Sequence, residues 1–569
     1  MANEKAILEE AAQRYKEARS AWDAPYSLAK EDMAFVYDVD DGHWPEEIRK
    51  ERAGRPILTV NKLQKFVRQV RGDMMQNRPR VKVIPVDNGA DVNTAELYNG
   101  IIRQIEYHSN AEIAYDTAYM QAVSSSIGYF RIVTDYVNND SFEQEIFIQR
   151  ILNPISVMLD PMAKGFCLED ADYGFIEDLV DMKQYKRLYP QSEPQNFDGQ
   201  NTLFGDWITK ERVRIAEYFY KEPVKRHIAQ LDTGEVVTLG KGITIEYMRS
   251  LGANVISDRW VTDYVVKWCK INGAEILEES EWAGKYIPIV PVFGDEIIID
   301  GRRYYLSLIR GAKDIQRMYN YWVTAATEAV ALTPKMPFIV DHRQIKGFEN
   351  EWEDANKKNR MYIRYTHVPN VHKPSREPQG QVPAGIINIM QQAAYDIEDH
   401  LGRYESSKGE ASNERSGKAI IARIHQADKG TYAFVDGLTR ALVFCGKQLI
   451  DLIPKIYDRP RAMQIMGEDG QSQTVMVNEP VMDGEEVTTQ NDLSVGRYDL
   501  IASTGASFGS KRQEMTQMLI ESMQYAPALA PVIAPLIFKY SDWPGAAEVY
   551  GEIRQAIAGQ AEQGDGGSA

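Results

Sequence analysis

YYLSLIRGAKDIQRMYNYWVTAATEAVAL (Tyr304–Leu332) carries Leu308, Ala312, Ile315, Tyr319, Trp322, Ala326 and Ala329 at alternating steps of four and three, one stripe of a long helix. Arg310, Lys313 and Arg317 lie off that stripe, and Thr333-Pro334 and Pro337 end it. After a polar, proline-punctuated insert over 333–383, AGIINIMQQAAYDIEDHLGRY (Ala384–Tyr404) repeats the pattern with Ile386, Met390, Ala393, Ile397, His400 and Tyr404. Asp396, Glu398 and Asp399 in this second helix, and Glu405 just past it, are acidic. SSKGEASNERS (Ser406–Ser416) has no apolar residue larger than alanine and reads as a loop. A third helical pattern follows from Gly417 to Tyr457, which at 1.5 Å per residue is roughly 60 Å long. Gly430, Gly437 and Gly446 predict bends in it.

Toward the N-terminus, residues 2–22 and about 25–37 read as helices, followed by a helix from Val60 to Gln76 that Pro79 ends. A short strand over Val81–Val86 and helices over 91–107 and 111–126 come next. From Gly128 the apolar period changes to two. Tyr129–Val133 and Glu145–Ile148, around the turn Asn138-Asn139-Asp140, predict a hairpin. Strands continue to Ile299, among them Val213–Phe219 and Tyr264–Trp268, with a helix over Met182–Leu188. Residues 1–300 are therefore expected to form one mixed α+β domain. Residues 462–502 return to strands and turns, Ser510-Lys511-Arg512-Gln513 resembles a capping box opening a helix, and 560–569 read as a disordered tail.

Composition narrows the function. The 569 residues hold 65 Lys and Arg against 82 Asp and Glu, a formal charge of −17, so any tight nucleic-acid contact must be local. Hydrophobic residues at 44% and charged residues at 26% exclude disorder as the main state. The start reads as a charged amphipathic helix rather than a signal peptide, and no apolar stretch is long enough to span a bilayer. Cys167, Cys269 and Cys445 lie far apart, without a CxxC pair, which argues against a disulfide framework or a zinc module. Gly505–Lys511 and Ser416–Ala419 both fail as phosphate loops, one through glycine spacing and the other through Ala419 where Ser or Thr is needed for magnesium. His367 and His372 stand five apart without HExxH, and no nucleophile motif stands out. No catalytic residue, metal ligand or cofactor is expected. The remaining candidates are local basic positions: Arg310, Lys313 and Arg317; Lys346, Lys357, Lys358, Arg360 and Arg364 in the insert; Lys408, Arg415 and Lys418 in and beside the loop. For each, a functional contact and an ordinary salt bridge with neighbouring acids stand level.

Several blocks, in order, resemble the portal proteins of tailed bacteriophages, most closely the P22-like family. They are Gly54-Arg-Pro-Ile-Leu-Thr-Val-Asn61, Met75-Gln-Asn-Arg-Pro79, Ser126-Ile-Gly-Tyr-Phe-Arg-Ile132 and Asn153-Pro154 to Asp160-Pro161. Asp314-Ile-Gln-Arg-Met-Tyr-Asn320, Ser412-Asn-Glu-Arg-Ser-Gly-Lys-Ala-Ile420, Leu452–Tyr457 and Tyr498-Asp499 complete the series. The resemblance implies a portal fold: a mixed α+β wing over 1–300, stem helices over 304–332 and 384–405, and a clip over 333–383. It further implies a tunnel loop over 406–416, a long helix and returning strands of the wing over 417–502, and crown helices over 503–559.

It also implies a homo-oligomeric ring, usually of twelve copies, at one vertex of the virion capsid, assembled in the host cytoplasm. Double-stranded DNA would pass without sequence specificity during packaging and ejection. The terminase large subunit would dock on the ring first, and tail adaptor or head-completion proteins later. Major capsid and scaffolding proteins are further partners; no membrane is involved. Lys408, Asn413, Arg415 and Lys418 become tunnel-loop candidates, Arg310, Lys313, Arg317, Asp396 and Asp399 stem candidates, and the basic insert residues docking candidates. Twelve copies at −17 each carry a formal charge of roughly −200, which would repel phosphate while a few basic rings give shallow, salt-sensitive contacts. A capsid shell or scaffolding protein and a packaging ATPase are the competing readings.

Overall fold

The computed structural model describes residues 2–39, 42–76, 78–86, 91–193, 207, 211–232, 234, 236–240, 243–250, 252–332, 338–355, 360–376, 384–401, 432–466, 472–483 and 486–503, with a few more between 518 and 537. The loop expected over 406–416, the start of the third helix, most of 503–559 and the tail lie outside the described residues. The fold class is α+β, and the chain divides into two units. One comprises residues 1–30, 67–308 and 431–569, and the other 31–66 and 309–430. Residues 31–66 thus group with the second unit, not with the rest of 1–300.

The first unit is built on antiparallel sheets. The helix Ala111–Ser125 ends where Ser126 takes φ +73°, its N–H bonded to Ala122 O at 2.8 Å. The chain then passes directly into strand Ile127–Tyr136. A Cβ on Gly128 would sit 2.0 Å from the Ala118 carbonyl oxygen, so only glycine lets this strand lie on that helix. The strand pairs with Gln144–Arg150, Val133 opposite Phe147, and on its other edge with Ile289–Phe293. A second sheet runs Val157–Leu159, Tyr173–Asp181, Arg212–Leu231, Val255–Ile271, Ile276–Trp282, with Val236–Leu239 added to Arg212–Leu231. The expected strands Val213–Phe219 and Tyr264–Trp268 are parts of strands 20 and 17 residues long.

Aromatic side chains fill the core of this unit. Phe175 stacks on Tyr218 at 4.5 Å and Phe293 on Tyr305 at 4.1 Å. Trp22 buries its ring and donates Nε1–H to Leu159 O at 2.8 Å, which satisfies the one polar atom it carries inside. That packing explains a departure from expectation: Ala2–Tyr37 is a single helix with Pro25 inside it. The hydrogen bond lost at proline is offset by burying Ala18, Trp22, Tyr26 and Ala29 along one side.

Helix Tyr432–Ile456 also continues unbroken through Gly437 and Gly446. Each marks a close approach, since a Cβ at Gly437 would stand 2.4 Å from Phe293 O and one at Gly446 2.8 Å from Leu500 Cδ1. Strand Arg80–Pro85 closes on Tyr498–Ser503, pairing segments far apart in sequence.

The helix expected from Tyr304 begins only at Lys313. Arg302–Leu306 instead forms a hairpin with Asp295–Ile299, turned by Asp300 and Gly301 at φ +50° and +73°. Asp-Gly with both residues left-handed matches the right-handed twist of a two-residue hairpin, a signal stronger than the apolar stripe that runs past it. Leu308 and Ala312 accordingly precede the helix.

In the second unit, Lys313–Leu332 packs on Ala384–His400, which buries Ala393 and Ile397. Ile386 and Met390 are half-buried on the same stripe. The insert between these helices is a small module of its own. Phe338–Ile339 pairs with Ser375–Arg376, Phe338 meets Trp352 edge-on at 5.1 Å, and Trp352 Nε1 donates to Arg364 O at 2.8 Å. Asp341 and Gln344 form a reciprocal capping box on the turn His342–Ile345.

Candidate channel-lining and docking residues

Helix Lys313–Leu332 buries a polar face more completely than its apolar one. Gln316, Asn320 and Thr324 are fully buried, whereas Ile315, Tyr319 and Trp322 are half-buried. The three polar residues stand at i, i+4 and i+8 and serve an extended segment, Leu58–Lys62, which no described strand pairs. Leu58 N–H donates to Thr324 Oγ1 at 3.1 Å, Val60 N–H to Asn320 Oδ1 at 3.1 Å, and Lys62 N–H to Gln316 Oε1 at 3.0 Å. Gln316 Nε2 returns a bond to Val60 O at 2.9 Å and another to Asn320 Oδ1 at 2.9 Å.

The spacing works because four helical residues rise about 6 Å and two extended residues advance about 6.6 Å. Alternate N–H groups of a strap therefore meet successive turns of a helix, and side-chain amides replace a neighbouring strand. The blocks Gly54–Asn61 and Asp314–Asn320 are the two halves of this one device.

His43 closes it. Asn320 Oδ1 already accepts from Val60 and Gln316, so Nδ2 donates to His43 Nδ1 at 3.2 Å and the ring must be neutral there. The imidazole is buried, 4.1 Å from Phe35 and 3.9 Å from Asp38 Oδ1. Burial pushes its pKa below 6.5; Arg317 acts in the same direction, Asp38 and the Phe35 backbone oppose it. The unfolded chain thus takes up a proton that the fold refuses. Stability is full above about pH 6.5 and falls below it, at up to about 1.4 kcal/mol per pH unit until the folded value is reached. His43→Gln, which can still accept from Asn320, should remove this slope between pH 6.5 and 5, read from denaturant midpoints. An unchanged slope would contradict the assignment.

The basic stem candidates belong to a second network. Asp32 is wholly buried, and its Oδ2 lies 2.9 Å from Arg310 Nε and 2.7 Å from Arg310 Nη2. Its Oδ1 lies 2.8 Å from Lys313 Nζ, which also reaches Glu31 at 2.9 Å. Arg317 sits 3.6 Å from Glu31 and 3.1 Å from Asp314. The hydrogen bond from Lys313 holds Glu31 below the usual carboxylate range. Within this chain, then, these three cations make the local pairs, with Lys313 itself buried.

Of the acidic candidates, Asp396 accepts from Gln392 at 2.7 Å, and Asp399 is exposed. Lys346, Arg360 and Arg364 are exposed on the insert, where Arg364 binds Glu351 and lies 4.9 Å over the Phe348 ring. Lys357, Lys358, Lys408, Asn413, Arg415 and Lys418 lie outside the described residues. Cys167, Cys269 and Cys445 are buried thiols, and burial pushes Cys269 up to about 12, far from a reactive thiolate. Among the described residues no cluster of His, Cys, Asp or Glu could hold a metal ion, and no helix is long and apolar enough to cross a membrane.

The sequence model of the family described as "Phage P22-like portal protein" matches residues 12–568. The chain belongs to that family. A portal protein of Acyrthosiphon pisum secondary endosymbiont phage 1 is 25% identical over 511 residues, spanning 84% of this chain and 71% of that protein. Membership carries a phage portal role, a place at the capsid vertex and assembly with capsid and DNA. For a portal-family chain, the strap and the buried ion pairs acquire a context: they brace the residues on which the helix pair and its insert stand. Neither was visible beforehand. Gln316, Asn320 and Thr324 at four-residue spacing, between apolar neighbours, were the available signal, together with a proline-bearing extended segment lacking an obvious partner strand.

Proposed function

We propose that twelve copies of this chain form a closed ring through which double-stranded DNA is packaged and later ejected. The observation that carries the reading is the family match over nearly the whole chain. In it, helices 313–332 and 384–400 are the stem and 338–376 the clip, on which the terminase large subunit docks, succeeded by tail adaptor or head-completion proteins. Residues 406–416 are the tunnel loop and 503–559 the crown, with assembly in the host cytoplasm alongside capsid and scaffolding proteins. The chain acts as a conduit and makes or breaks no bond. The acidic balance supports this, because a passage for a polyanion must not grip it, and sparse basic rings keep the barriers shallow.

Negative-stain images of the purified protein should show discrete rings with a central hole and countable symmetry; closed shells or helical rods would refute the reading, as would robust ATP turnover by the protein alone. Lys408→Ser with Arg415→Ser should leave rings intact and alter packaging or retention of DNA. Packaging and retention both unchanged would remove the loop from the mechanism.

A further inference from the structure

The insert segregates its charge by sequence position. Glu349–Asp354 holds four acids and no base, whereas the described stretch 360–376 holds Arg360, Arg364, Lys373 and Arg376 and no acid. The described ion pair joining the two stretches is Arg364 to Glu351, bidentate and packed on Phe348. Glu349 and Glu353 remain exposed on one stretch, Arg360 and Lys373 on the other. Beside Arg360 stand Met361 and Tyr362, two adjacent apolar side chains 101% and 76% exposed.

We infer that this module docks on a second copy of itself, the Arg360–Tyr362 and Lys373 side of one copy against the Glu349 and Glu353 side of the next. Three features fit that occupant. The two stretches are opposite in charge, and a head-to-tail contact sets unlike patches together, whereas a two-fold contact sets a patch against its own copy. A copy with net charge −17 supplies the acid that a locally basic strip needs. Met361 and Tyr362 provide anchors of the kind that dominate interface energetics, ringed by charges that set register and exclude mispairing. The inference rests on the ring reading and names its contact at the clip.

Two variants test it in the full-length protein. One reverses the acidic side, Glu349→Gln with Glu353→Lys; the Gln at 349 keeps an acceptor for the Gly347 N–H that Glu349 receives at 2.9 Å. The other reverses the basic side, Arg360→Glu with Lys373→Glu. Each alone removes the charge complementarity and sets sides of like net charge against each other, and should lower the ring fraction about tenfold or more at low salt. Co-expressed, they should restore rings containing both variants in equal number, because each reversed side then meets its reversed complement. Native mass spectrometry reads the composition.

A repair within one chain, or a folding defect, predicts no rescue on mixing, and that outcome overturns the inference. So does either variant assembling like the parent protein, or assembling normally while losing only its hold on a motor or tail protein. If the parent protein forms no ring at all, the ring reading itself fails, a result separate from the others.

Discussion

Asp32→Ala should destabilise the second unit by about 3–5 kcal/mol, among the largest single-site losses expected in this chain. The carboxylate is fully buried and touches two cations, Arg310 through Oδ2 and Lys313 through Oδ1. Removing it takes away the buried counter-charge while both cations stay in place, and desolvating an ion without its partner is the expensive half of a buried salt bridge. Asp32→Asn keeps the shape and one acceptor but not the charge, so its cost should fall between the parent and the alanine variant. Replacing Asp32, Arg310 and Lys313 together by apolar residues of similar volume should cost less than Asp32→Ala alone. The comparison separates the worth of the pair from the penalty of breaking it. Denaturant midpoints at pH 7 measure all three; a loss below about 1 kcal/mol for the alanine variant would show that water reaches the site.

This network also shows where sequence reading stops. The α+β class, the helix Met182–Leu188, the hairpin around 138–140 and the two helices flanking a proline-rich insert follow from local periodicity and turn chemistry, and the family from the resemblance of several sequence blocks. Local signals cannot say which partner a charge finds. Arg310, Lys313 and Arg317 stand off the apolar stripe, and from position alone they suit a channel wall as well as a salt bridge. Their partners Glu31 and Asp32 lie some 280 residues earlier, on a helix assigned by sequence to another domain. The register of Arg80–Pro85 with Tyr498–Ser503 is hidden for the same reason.

The Asp300-Gly301 turn differs in kind. It was legible, but a stripe that happens to continue through Leu308 and Ala312 outweighed a dipeptide whose backbone demand is specific. The polar ladder is the deeper failure of pattern reading, since the most buried side of helix Lys313–Leu332 is the one that hydropathy assigns to solvent.

Asn320→Leu is the test of that ladder and should cost about 3–5 kcal/mol, because it orphans several buried groups at about 1–3 kcal/mol each. Val60 N–H loses its acceptor, one N–H of Gln316 loses a second acceptor, and His43 Nδ1 loses its donor. Leucine keeps asparagine's branched shape and is no smaller, so no cavity forms and the cost is that of the lost hydrogen bonds together with some overpacking. Asn320→Asp provides the contrast. It keeps the acceptor for Val60 and Gln316 but sets a carboxylate against His43 Nδ1, which favours the protonated ring and raises the imidazole pKa. The parent protein loses stability as pH falls below about 6.5, since only its unfolded state binds the proton. With Asn320→Asp the folded state binds it more tightly than the unfolded one, so the slope in that window should change sign, and stability should rise from pH 7.5 to 5.5. Opposite slopes in the two proteins would tie the strap, the ladder and the buried histidine into one cooperative element. Parallel slopes would mean that His43 titrates without regard to Asn320, and the neutral ring assigned to it would be wrong.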